Sequence, residues 1–87
     1  MAAYYSHFKF LGIESKDGEI VARIAEKEAG WFSKTISFTM GESRLRGFFE
    51  NFDKAKQWAD DQSRDALLNA IDAIRTEKLK RGIPFDA

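Results

Sequence analysis

The spacing of apolar residues changes once along the chain. Up to about residue 49 apolar and polar positions alternate between turn-forming residues, and beyond residue 51 the apolar positions recur with helical spacing. This order predicts an α+β domain with strands first and helix last. Residues 4–13 are aromatic and apolar, and the following Asp17-Gly18 pair suits the positive φ angles of a hairpin turn. A second strand is expected over residues 19–26. Residues 31–40 alternate most clearly, with Phe32, Ile36, Phe38 and Met40 on one parity and Trp31, Ser33, Thr35, Ser37 and Thr39 on the other. Gly41-Glu42 fits a two-residue turn with Gly first, which returns residues 43–49 as a fourth strand. The same stretch has a helical alternative, because Leu45, Phe48, Phe49 and Phe52 follow the i, i+3, i+4, i+7 spacing.

From Asn51 the signals are helical. Asn51 is a good N-cap, Asp53 favours the first turn, and Gly82 and Pro84 follow the basic residues Lys78, Lys80 and Arg81. Ala55, Trp58, Ala59, Gln62, Ala66, Ala70 and Ala73 make one stripe, and Leu67, Ile71 and Ile74 make a second, rotated by roughly 100°. One straight helix of this length would run ~40 Å, too long for a domain with an expected radius of gyration of ~12 Å. A bend or break is therefore expected near residues 62–65. The whole is predicted as a four-stranded antiparallel meander, with one bent or two C-terminal helices on one face. The inward set is Tyr4, Phe8, Phe10, Ile20, Ala22, Ile24, Phe32, Ile36, Phe38, Met40, Leu45 and Phe49, facing Trp58, Leu67, Ile71 and Ile74. Lys34 shares the inward parity and is expected to snorkel to water.

Composition narrows the chemistry. Eighty-seven residues suffice for a single core, and eight Phe, two Trp and two Tyr supply apolar area without staples. The sequence has no Cys and a single His, which removes thiol nucleophiles, disulfides and two-His metal motifs, so neither metal nor cofactor is expected. Fourteen cationic residues balance fourteen anionic ones, so any electrostatic partner must be met by a local patch. Neither a membrane span nor a signal peptide is evident, and the chain reads as a soluble cytoplasmic protein.

His7 is the only conventional base, and no nucleophile elbow or phosphate-cradling loop accompanies it, so the chain reads as non-enzymatic and His7 as a structural or surface residue. Asp60, Asp61 and Asp65 cluster on the predicted helix as a second candidate surface. Lys56 and Arg64, at i, i+4 spacing from Asp60, make that cluster equally readable as an ordinary salted helix face. Parity places Tyr5, His7, Lys9, Arg23, Trp31, Ser33, Thr35, Ser37, Arg44, Arg46 and Phe48 on the outward sheet face. That set mixes cations, aromatics and hydroxyls, suited to phosphates or an acidic protein, with a normal solvated face as the alternative. The partner-binding candidates are Tyr5, Lys9, Arg23, Trp31, Arg44 and Arg46.

Two resemblances bear on function. The run from Phe49 to Gln62, with its Ala55-x-x-Trp58-Ala59 core, resembles the strand-to-helix junction of arm-type DNA-binding domains of phage integrases. Residues 18–23 and 31–38 look like that family's second and third strands, whose sheet enters the major groove. The resemblance implies DNA binding, although the chain's charge balance departs from it. Nearly the whole chain, read as four antiparallel strands followed by two short helices, also looks like small phage-encoded anti-CRISPR proteins. That likeness is one of architecture and size, and it implies a protein that obstructs a host defence complex without catalysis. The preferred expectation is an inhibitor or adaptor docking on a protein or ribonucleoprotein complex that processes nucleic acid, with direct DNA binding as the alternative.

Overall fold

A computed structural model describes residues 6–28, 35–56 and 60–83, including the backbone but not the side chains of Ser6 and Glu28. Strands β1 (Ser6–Lys16), β2 (Glu19–Glu28) and β3 (Thr35–Met40) are followed by helices α1 (Glu42–Ala55) and α2 (Asp61–Arg81). The sheet is antiparallel in the order β1-β2-β3, with β2 central.

The first hairpin closes through Asp17 and Gly18, both at positive φ (52° and 79°), as the Asp-Gly pair predicts. A bulge interrupts β1. Phe10 pairs with Ile24 and Gly12 with Arg23, which leaves Leu11 without a partner in the register. Gly12 has a φ of 140°, a conformation that side chains rarely tolerate. The extra residue flips the strand's parity, so Phe8 and Phe10 before it and Ile13 after it all pack against the core.

The predicted fourth strand is instead the first half of α1. Gly41 is extended, with φ −76° and ψ 173°, and caps a helix rather than opening a hairpin, so the helical spacing prevails over the alternation. Leu45 is fully buried, while Phe48, Phe49 and Phe52 pack half-buried on the core from the same helix face. Phe48 and Phe52 also meet the Phe8 ring edge-on, with centroids 5.3 and 5.7 Å away. Asn51 therefore lies inside α1 instead of capping a helix.

The break between helices falls before the expected residues 62–65. α1 ends at Lys56, a non-glycine in the left-handed region with φ 51°, and α2 opens on Asp60, whose carboxylate accepts the Ser63 backbone N–H at 2.6 Å. With Ala55 assigned to α1, the predicted drift of stripes disappears. Ser63, Leu67, Ala70, Ile71, Ile74 and Lys78 form one buried face of α2. Gly82 closes that helix as predicted.

α2 lies across β1 and β2, and α1 runs antiparallel beside it, with Glu42 near Arg75 at one end and Asp53 near Arg64 at the other. The core joins Phe8, Ile20, Ala22, Ile24 and Met40 of the sheet to Leu45, Leu67, Ala70, Ile71 and Ile74 of the helices. Four of the predicted inward residues are less covered, Phe10 and Phe49 being half-buried. Phe38 is half-buried, and Ile36, opposite Glu26 near the start of β3, is 53% exposed. Tyr4, Phe32, Lys34 and Trp58 lie outside the described residues.

Candidate functional site

The sheet face turned away from the helices is assembled by the strand registers. His7, Lys27 and Thr35 align across the three strands, then Lys9, Ala25 and Ser37, then Gly12, Arg23 and Thr39. Val21, on the same parity, is buried and Ala25 is half-buried, while His7, Lys9, Lys27, Thr35 and Ser37 are exposed. Arg23 is engaged within the protein: its Nε and Nη2 donate to the two carboxylate oxygens of Glu14 at 2.7 and 3.0 Å, and Nη1 reaches Ser37 Oγ at 3.5 Å. The Arg23 hydrogen bond holds the Glu14 carboxyl below its usual range, and Glu14 in turn raises Arg23. Lys9 and Lys27 differ. Both are exposed, and no described carboxylate forms an ion pair with either.

These two lysines line a groove of about 470 Å³ that runs from the open face to the first turn of α2. His7, Phe8, Ala25 and Thr35 line its sheet side, and Asp60, Gln62, Ser63 and Ala66 its helix side. A short polar chain ties the two sides together. Phe8 N–H donates to Ser63 Oγ at 3.0 Å, Ser63 N–H donates to Asp60, and the second Asp60 oxygen lies 2.8 Å from His7 Nδ1. Because a carboxylate only accepts, this contact puts the proton of the neutral imidazole on Nδ1. Asp60 is held below the usual Asp range by Ser63, through its side chain and its backbone N–H, and then by His7.

His7, Asp60 and Ser63 are the residue types of a hydrolytic triad, but they meet in the wrong order. In a triad the imidazole stands between carboxylate and hydroxyl. Here Asp60 stands between the other two, and Ser63 is 1% exposed with its oxygen accepting from the sheet. The arrangement docks a helix on a strand.

The remaining sequence candidates scatter. Arg44 and Arg46 belong to α1, and so does Phe48, so none of them joins the open face. Arg44 is exposed, and Arg46 turns toward Glu42, with Nε 3.9 Å from the carboxylate. Tyr5, Trp31 and Ser33 lie outside the described residues. Asp60 caps α2 and faces His7, while Asp61 and Asp65 are exposed on α2, so the three do not form one ridge. Arg64 pairs with Asp53 at 3.5 Å and stacks over Phe49 at 5.2 Å, rather than pairing with Asp60. Lys27 and Gln62 were missed, Lys27 because strand β2 was expected to end at residue 26.

A second charged cluster is structural. The Glu42 side chain is wholly buried where α1 meets α2 and receives Arg75 Nε at 2.9 Å and Lys78 Nζ at 3.4 Å. Burial pushes its pKa up, but the hydrogen bonds and charges of Arg75 and Lys78 outweigh that and hold it below the ordinary value.

Among the described residues no group of three or more His, Cys, Asp or Glu side chains is arranged to hold a metal ion, and no helix is long and apolar enough to cross a membrane. No family model matches this chain, and neither does any curated protein or solved structure.

Proposed function

We propose that this chain is a small non-catalytic binding protein resembling small phage-encoded anti-CRISPR proteins, an inhibitor or adaptor that docks its open sheet face on a nucleic-acid-processing defence complex. One observation carries the reading: Lys9 and Lys27 stand exposed beside a groove, with no described carboxylate paired to them, on the face that the helices leave open. Charges placed this way contribute little to folding and much to attracting and orienting an oppositely charged partner. The engagement of His7 and Ser63 in helix docking supports the non-catalytic part of the reading. The test is capture of a partner from bacterial lysate by wild-type protein and by Lys9→Glu/Lys27→Glu. The reading requires a partner retained by the first and lost by the second, and equal capture by both would refute it.

The second reading, a DNA-binding module, is favoured by the layout itself, since a sheet with cations on its free face and helices behind it is how sheet readers approach a duplex. Arg23 is neutralised by Glu14, and Arg44 and Arg46 sit on α1, so two cations of the open face are left for phosphates. The logarithm of affinity should then fall with the logarithm of salt at a slope of about −2, where four cations would give about −4. Titrating labelled duplex at several salt concentrations measures that slope. Absence of binding at low salt would remove this reading.

A further inference from the structure

The groove between the open face and α2 has a lining that selects among anionic partners. Lys9 pairs with Ala25 and Lys27 with His7, which makes the two lysines diagonal neighbours on one face, roughly 7–8 Å apart at the backbone. Between them lies Ala25, the shortest side chain on that part of the floor. Two flexible ammonium groups can therefore converge on one anionic group above Ala25. The helix side offers both polarities through the Gln62 amide and the Asp60 carboxylate, and Thr35 adds a hydroxyl on the sheet side, next to Lys27. Asp60 already accepts from Ser63 and His7 but has further lone-pair sites on its two oxygens.

A deoxyribose-phosphate backbone presents only acceptors, so it offers the Asp60 carboxylate no donor to accept from. A peptide backbone alternates N–H donors with carbonyl acceptors, which the amide, carboxylate and hydroxyl groups around the groove can match. We propose that this groove receives an extended acidic segment of a partner protein, with one Asp or Glu carboxylate seated between Lys9 and Lys27. The inference rests on the binding-protein reading and names the element of the partner that the open face recognises.

The probes are hexaglutamate, hexaglutamine and hexathymidylate, titrated into ¹⁵N-labelled protein at low salt while amide shifts are followed. Hexaglutamate should move the amides of His7, Lys9, Ala25, Lys27, Thr35 and Gln62, and hexaglutamine should not. Lys9→Ala/Lys27→Ala should weaken the hexaglutamate effect about tenfold, two exposed charge contacts each contributing up to about fivefold. Since both side chains are exposed, the double variant should keep the wild-type spectrum elsewhere. The inference is overturned if hexaglutamate leaves these amides unmoved, if hexaglutamine moves them equally, or if hexathymidylate moves them at lower concentration. If the amides stay still while Lys9→Glu/Lys27→Glu still abolishes partner capture, the acidic segment is wrong and the binding-protein reading stands.

Discussion

The same three strands build two unlike faces. On the helix side Phe8, Ile20, Ala22 and Ile24 disappear under Leu67, Ile71 and Ile74. On the other side His7, Lys9, Lys27, Thr35 and Ser37 remain exposed. The two faces also use their carboxylates differently. Glu42 is wholly buried and joins the helices through Arg75 and Lys78, whereas Glu14 stays near the surface and occupies Arg23. The comparison separates what holds the fold from what is left to meet a partner: removing a group from the covered side should cost stability, and removing one from the open side should cost binding.

The largest expected effect is on the covered side. Leu67→Ala or Ile74→Ala empties a fully buried position and should cost about 2–5 kcal/mol in chemical unfolding, while Thr35→Ala on the open face should stay within about 0.5 kcal/mol. Comparable costs on both sides would dissolve the distinction. Next comes Glu42→Gln, expected to cost about 2–3 kcal/mol. That is below the usual range for stranding a buried partner, because Arg46 and Arg75 are partly exposed and can turn to water while Lys78 cannot.

The same carboxylate sets an acid limit. Glu42 has a folded-state pKa below its ordinary value of 4.5, so its contribution is fully present above that pH and is lost as pH falls through the folded value. Asp60 acts in the same direction below its ordinary 3.8. The wild-type midpoint of thermal unfolding should therefore drop below about pH 4.5, and Glu42→Gln should show a flatter acid limb. A variant that loses stability in acid as steeply as wild type would contradict the assignment. Smaller again is Ser63→Ala, which removes the acceptor of the Phe8 N–H at the join between α2 and β1 and should cost about 1–2 kcal/mol.

The parts of this architecture set by local chemistry were legible in the sequence. Asp17-Gly18 marked the hairpin, alternation marked β3, Gly82 marked the end of α2, and Leu67, Ile71 and Ile74 marked its buried face. What escaped was set by competition or by tertiary contact. Residues 43–49 satisfied two periodicities, and only the packing of Leu45 and Phe48 chose the helix. Lys56 ends α1 without a glycine, so nothing local marked the break, and Leu11 is an ordinary residue that becomes the bulge only by pairing. Of the candidate site, Lys9 and Arg23 were placed on the open face by parity, but Glu14's occupation of Arg23 depends on a cross-strand diagonal. Asp60 read as one of a helix ridge, and its bond to His7, 53 residues away, has no sequence signature.

The smallest expected effect on stability accompanies the most direct test. Lys9→Glu/Lys27→Glu should unfold within about 0.5 kcal/mol of wild type, because both side chains are exposed and paired to no described carboxylate. The decisive measurement is partner retention by this double variant, made alongside its unfolding midpoint. Lost retention with an unchanged midpoint is the predicted result, and retention equal to wild type in a folded variant would contradict the account.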